Sequence, residues 1–178
     1  TKDKDFVSTA ISEIKRLCIR VLRVHSSGDL YDVGYTRKWT RIMKACPSTR
    51  FFLYTRSWRL PKFDSVLAEM ASLTNVRLWY SIDRDTGKPK RIPPGVRLAY
   101  LQLEHDDTPP AGTDLVFRDH RLRSRVAKKS GNVLICPPEN GTGVELGCQK
   151  CGVCWRDRGE RFSESRDSKT RRLSLQLL

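Results

Sequence analysis

No stretch of this chain stays apolar for anything near the roughly 18 residues that a membrane-spanning helix needs. No charged, apolar, then small-residue pattern of the secretory kind opens it either, so a cytoplasmic location with no membrane partner is the expectation. Negative charge is scarce as well: 20 aspartates and glutamates stand against 34 lysines and arginines, a net charge of +14. Clustered cations release counterions when they neutralise phosphates, which makes nucleic acid the first partner to consider, with plain solubility as the alternative use of the charge. Apolar residues are modest at 38% against 30% charged, a balance that favours one compact core under a highly charged surface over two small domains. The 178 residues also fall short of the roughly 250 that a closed eight-stranded barrel takes.

What is present is organised around Ile19 to Trp39. An apolar strand, Ile19 to Val24, runs into the polar loop His25-Ser-Ser-Gly-Asp29 and then into a helix. Such strand–loop–helix units build α/β folds whose functional groups gather at the carboxyl ends of the strands. Other strands end in the same polar way: Phe51 to Thr55 leads to Arg56 and Ser57, Val76 to Tyr80 leads to Ser81 and Asp83, and Val133 to Ile135 leads to Cys136.

Taken in order, helical spacing of Phe6, Val7, Ala10, Ile11, Ile14 and Leu17 predicts a first helix from about Lys4 to Cys18. A second helix follows over Val33 to Ala45 and is stopped by Cys46-Pro47, because the residue before a proline is pushed out of the helical region. Strand Arg50 to Thr55, a third helix opening at Pro61 and reaching Leu73, and strand Val76 to Ile82 come next. Beyond the turn Asp85 to Pro89, further strands are expected at Val96 to Leu103, at Leu115 to Phe117, and, buried, at Asn132 to Ile135. A short basic helix is expected over Leu122 to Lys129. The fold class is therefore α/β: a partly parallel sheet of about five or six strands built from strand–helix units, like part of a barrel. The expected division is one domain over 1–155 that includes the cysteine loop 136–155, and a charged tail over 156–178.

Four of the six cysteines, Cys136, Cys148, Cys151 and Cys154, follow the spacing C-x11-C-x2-C-x2-C. Thiolates two residues apart can converge on one metal, and a fourth closes a tetrahedral set, so the expected cofactor is one metal centre, zinc or [4Fe-4S]. Free or disulfide-linked thiols are the alternative. The metal would order a glycine-rich loop that has little core of its own. Cys18 and Cys46, at the end of an apolar helix and before a proline, read as buried, inert thiols.

The loop His25, Ser26, Ser27, Gly28, Asp29 can be read as a ligand or partner loop: Gly28 permits close backbone approach, Asp29 accepts hydrogen bonds, and the next helix offers free N–H groups to an anion. The competing reading makes Ser26, Ser27 and Asp29 turn and cap residues. His105 and His120 lie in charged stretches and read as solvated. The run Arg118 to Lys129 packs six cations against one acid, and its Arg118, Arg121, Arg123, Arg125, Lys128 and Lys129 can track phosphates. Arg37, Lys38 and Arg41, with Lys44, form a second basic face. Tyr54, Trp58, Trp79 and Tyr80 can stack bases, although packing accounts for at least two of them.

Several of these stretches together, Arg23-Val-His-Ser-Ser-Gly-Asp-Leu-Tyr31, Tyr35, Lys38-Trp39, Cys46-Pro, Phe52-Leu-Tyr-Thr-Arg-Ser57, Ile135-Cys-Pro and Cys148-x-x-Cys-Gly-x-Cys-Trp155, resemble the phage and plasmid proteins of the gene product eighty-eight family. The resemblance implies an origin in a mobile element and a bacterial host cell, and says little about activity. Family members carry further cysteines ahead of the first strand that this chain lacks. Two classes of function follow. One is an accessory protein of DNA transactions, such as a recombination directionality factor, that binds DNA or a DNA-bound recombinase or replication protein. The other is an iron–sulfur enzyme similar to radical S-adenosylmethionine proteins, with the loop at His25 receiving the cofactor; the Cys-x3-Cys-x2-Cys it needs occurs nowhere in these residues.

Overall fold

The computed structural model describes residues 5–122, 133–139 and 148–157. The first helix, α1 (Phe6–Arg16), buries Ala10 and Ile14. It ends earlier than its periodicity suggests, in a left-handed closure: Ile19 N–H donates to the Ile14 carbonyl at 3.1 Å, and Cys18 N–H to the Lys15 carbonyl at 3.1 Å. That bond pair is the Schellman closure, which places its left-handed residue at Cys18. Cys18 has φ +50° and is exposed, so the expectation of a buried thiol fails there, while Cys46 is buried as expected.

Strand β1 (Val21–Arg23) is shorter than its apolar run. Its flanks still bond the neighbouring strand, through Arg50 N–H to the Arg20 carbonyl and Val24 N–H to the Phe52 carbonyl. Helix α2 (Val33–Ala45) and strand β2 (Arg50–Thr55) have the expected bounds. The third helical region starts as two 3₁₀ turns, Ser57–Arg59 and Pro61–Phe63, before α3 (Asp64–Ala71). Strands β3 (Val76–Asp83), β4 (Arg97–Gln102), β5 (Leu115–Arg118) and β6 (Leu134–Ile135) complete the sheet. A 3₁₀ turn, His120–Leu122, follows β5, and the basic helix expected over Leu122 to Lys129 lies, Leu122 apart, outside the described residues.

The six strands lie in chain order, and each described pair is parallel, where a partly parallel sheet was the expectation. Parallel neighbours need long crossovers. Helices supply the first two, and the loops between β3, β4 and β5 supply the next two. The sheet curls into a half-barrel. One face, with Leu22, Phe51, Leu53, Leu78, Ile82 and Val116, packs on Ile14, Ile42, Leu67 and Met70 of the helices as the main core. The other face buries Trp79, Ala99 and Leu115 against Tyr54, Phe117, Cys136, Val153 and Cys154. Burial on both faces explains why the strands read as nearly continuous apolar runs. Strand β6 is an exception: among the described residues it pairs with β5 alone, and it leaves Leu134 41% exposed, against the expectation of a buried last strand.

Candidate functional site

The carboxyl ends of β1, β2 and β3 are tied together by carboxylates. Asp29 Oδ1 accepts from Leu30 N–H at 2.6 Å and from Thr55 Oγ at 2.5 Å, and Oδ2 accepts from Arg56 N–H at 2.7 Å. Ser57 Oγ donates to the Leu30 carbonyl at 2.6 Å. Asp29 thus staples the loop after β1 to the turn after β2, which agrees with the competing reading of it as a turn residue. The α2 amino end is also committed, because Asp32 caps it by accepting from Tyr35 N–H at 3.1 Å, so the expected free anion-binding N–H groups are partly filled. Asp83 continues the lacing by accepting from Arg56 at 2.5 Å and from Thr86 N–H at 2.8 Å.

Between these ties the loop is open. Ser26, Ser27 and Gly28 are exposed, and Gly28 has φ +87° with nothing within 4 Å of where a Cβ would stand. His25 has φ +64°, uncommon for a residue with a side chain. That backbone holds its half-buried ring against α2, with Nε2 2.8 Å from the Tyr35 hydroxyl and the ring planes of His25 and Tyr35 stacked at 5.7 Å. Burial lowers its pKa against the opposing pull of Asp29, favouring the neutral imidazole, and Nδ1 is buried without a hydrogen-bond partner among the described residues. A cleft of about 400 Å³ opens between the loops that follow β3 and β4, lined by Asp83, Arg84, Lys88, Tyr100 and Asp107.

The cysteine segment lies on the second face of the sheet. Cys136 extends β6, its N–H donating to the Val116 carbonyl at 2.8 Å. Helix α4 (Cys148–Cys151) and the residues after it are clamped by sheet side chains. Trp79 Nε1 donates to the Cys154 carbonyl at 2.9 Å, and Arg97 donates to the carbonyls of Val153 and Arg156 at 3.2 and 2.7 Å. Arg77 pairs with Asp157, and Trp155 packs on Phe52 with ring centroids 5.3 Å apart.

Burial, helped by Glu139 and the other three cysteines, pushes the Cys136 thiol up to about 12. Burial raises Cys154 as well, opposed by the nearby Tyr54 hydroxyl and reinforced by Cys148 and Cys151. Tyr54 itself is raised by burial and then by Cys154. The four thiols are therefore near enough to influence one another, a soft donor set of the kind zinc and iron–sulfur clusters take. Among the described residues, however, no three His, Cys, Asp or Glu side chains are arranged to hold a metal ion, so the expected metal-bound loop is not shown.

The basic residues separate. Arg118 is 1% exposed, and it donates to the Glu139 carbonyl at 2.9 Å and to Gln102 Oε1 at 3.2 Å. It belongs to the interior and cannot track phosphates, because β5 carries its side chain inward. Arg121 is exposed and bonded to Asp119. Arg123, Arg125, Lys128 and Lys129 lie outside the described residues. On α2, Arg37 and Arg41 are exposed, Lys38 is half-buried, and Lys44 pairs with Glu69 at 2.7 Å. Of the histidines, His120 is exposed as expected, whereas His105 is half-buried with its Nδ1 buried.

Packing takes most of the aromatics singled out in the sequence. Trp79 and Tyr80 are buried, Tyr54 carries a buried hydroxyl, and Trp58 stacks on Tyr80 while its Nε1 donates to the Ser81 carbonyl. Among the described residues the most exposed ring is Tyr31, which sequence reasoning passed over; it is 65% exposed and stacks on Tyr35 at 4.6 Å. Its signal was its position, between a strand-end loop and a helix cap, where core periodicity asks for no aromatic.

The Gene 88 protein of Mycobacterium phage L5 is 24% identical to this chain over 148 residues, and that of Mycobacterium phage D29 is 23% identical over 148 residues. Each match covers 79% of this chain and 52% of the relative, so the chain spans about half the length of the curated relatives it matches. No solved structure matches it. The family described as Gene product 88 matches residues 1–157, and the chain belongs to that phage family.

Proposed function

We propose that this chain is a phage- or plasmid-encoded accessory protein of DNA transactions in the bacterial host, acting in recombination or replication control by binding DNA, a DNA-bound recombinase or a replication protein. The observation that carries this reading is helix α2, which has four cations and no acid, with Arg37 and Arg41 one turn apart and solvent-exposed. Set on a chain of net charge +14, such a face suits a phosphate backbone. Arg121 and, outside the described residues, Arg123 and Arg125 extend the basic character in the sequence. The test is duplex DNA binding by the full chain and by an Arg37→Glu/Arg41→Glu variant. Weaker binding with a shallower salt dependence is the expected result, and unchanged binding across the salt series overturns the role of this face.

The same reading includes one metal centre, zinc or [4Fe-4S], on Cys136, Cys148, Cys151 and Cys154. The mutual influence of these thiols and the packing of Cys136 and Cys154 against the second sheet face support it. When bound, the metal would supply a crosslink that fixes residues 148–157 to the sheet.

The all-parallel half-barrel with an open loop after β1 favours a second reading, the iron–sulfur enzyme similar to radical S-adenosylmethionine proteins, with its cofactor-cluster cysteines outside these residues. Cleavage of S-adenosylmethionine by the reduced, iron-loaded protein would select it. A zinc-loaded protein without visible absorption would remove it.

A further inference from the structure

We infer that Tyr54 is a positioning residue of the cysteine centre: its hydroxyl donates a hydrogen bond to the Cys154 sulfur once that sulfur is a thiolate, and so steadies the metal-loaded state. This rests on the metal reading above and names a residue outside the cysteines themselves.

Tyr54 on β2 is the register partner of Trp79 on β3, and both belong to the packing of the second sheet face. Its ring is caged by aromatic neighbours, with Trp79 at 5.7 Å, Phe117 edge-on at 5.3 Å and Phe52 edge-on at 6.3 Å. A phenylalanine would fill that cage as well. The hydroxyl is therefore the atom that packing does not explain. It is buried and has no hydrogen-bond partner among the described residues. A polar group in that state costs stability until an acceptor reaches it.

The acceptor is at hand. Cys136 and Cys154 pack on the same sheet face, and the Tyr54 hydroxyl lies within electrostatic reach of both, with Cys154 the stronger influence. The indole that flanks Tyr54 also anchors Cys154, because Trp79 Nε1 donates to the Cys154 carbonyl at 2.9 Å. A protonated thiol is a weak acceptor, whereas a metal-bound thiolate takes a charge-assisted hydrogen bond. Outer partners of this kind orient the ligands of a metal and hold them in place.

The charges nearby divide between the two cysteines. The Arg23 guanidinium stands over the Tyr54 ring at 5.6 Å and favours a negative Cys154, while its Nε donates to the His25 carbonyl at 3.1 Å. Glu139 works the other way at Cys136, its carboxylate accepting from the Arg118 N–H at 2.7 Å. The thiolate that Tyr54 and Arg23 serve together is thus that of Cys154.

The experiment compares wild-type and Tyr54→Phe full chains, each prepared metal-free under reductant. Zinc is titrated against a chromophoric chelator, and the melting temperature is read with and without zinc. Tyr54→Phe is expected to bind zinc about 10- to 100-fold more weakly. Metal-free, it is expected to melt no lower than wild type, because the change removes an unpaired hydroxyl and keeps the ring. Equal zinc affinity in the two chains overturns the inference and leaves the metal reading standing. A metal-free variant that melts below wild type does the same, since the hydroxyl would then serve the fold without a metal. A wild-type chain that takes up no zinc overturns the inference, and if iron and sulfide also give no cluster, the metal reading falls with it.

Discussion

Cys18 shows how a single position can cost stability without touching a ligand. It holds φ +50° at the closure of α1, where glycine would sit without strain. Cys18→Gly is therefore expected to raise stability by about 0.5–1 kcal/mol, read as a shift of the urea midpoint; a lower midpoint would show that the thiol contributes packing there. Asp83 gives a pH prediction. Burial raises its pKa, but hydrogen bonds from Thr86 and then the charge of and hydrogen bond from Arg56 outweigh that and hold it below the usual carboxylate range. A folded-state pKa below the unfolded one gives stability that is present above about pH 4 and is lost as pH falls through the folded value. Asp83→Asn should lower the thermal midpoint at neutral pH and flatten its fall on acidification, and an unaltered acid profile would contradict the assignment. At this scale the sequence marks which strand ends are polar, including Thr55, Arg56, Ser57 and Asp83. It cannot tell an acceptor facing a ligand from one facing the next loop, because Asp29 and Thr55 are separated along the chain and meet only through the parallel pairing of β1 and β2.

The elements were most legible where local signals agree. Helix α2 is bounded by an Asp32 cap and the Cys46-Pro47 stop, and β2 is a compact apolar run between turn residues, so both have the expected limits. Legibility fell where tertiary contacts decide: the third helix opens as two 3₁₀ turns, and β6 is an exposed edge whose short run resembles a buried strand. The clamp on the cysteine segment was not legible at all. Arg97 reads as one more surface cation, yet it is 8% exposed, stacks over Trp79 at 5.3 Å and serves two carbonyls of a segment far along the chain. Arg97→Ala should destabilise the fold on the order of 3 kcal/mol and raise hydrogen exchange in residues 148–157 above that in β2. Equal protection of the segment in variant and wild type would show that the metal or the apolar contacts hold it alone.

At the scale of the whole molecule, two faces of one sheet have different tasks. One closes the main core under α1, α2 and α3, and the other receives the cysteine segment. Metal and sulfide quantified against anaerobically purified protein should give about one zinc without visible absorption, or about four irons with a broad absorption band. Cys151→Ser should lower the melting temperature of the loaded protein. An unshifted transition would rule out a structural metal. The basic character was legible from composition, but its distribution was not, since Arg118 is inside and α2 presents Arg37 and Arg41 outward. The most direct measurement of the central claim is the affinity of the full chain for duplex DNA across a series of salt concentrations. The account predicts measurable binding at low salt and a steep linear fall of log affinity with log salt, each phosphate contact contributing a slope of about −0.9. Absence of binding at low salt, or an affinity indifferent to salt, would contradict it.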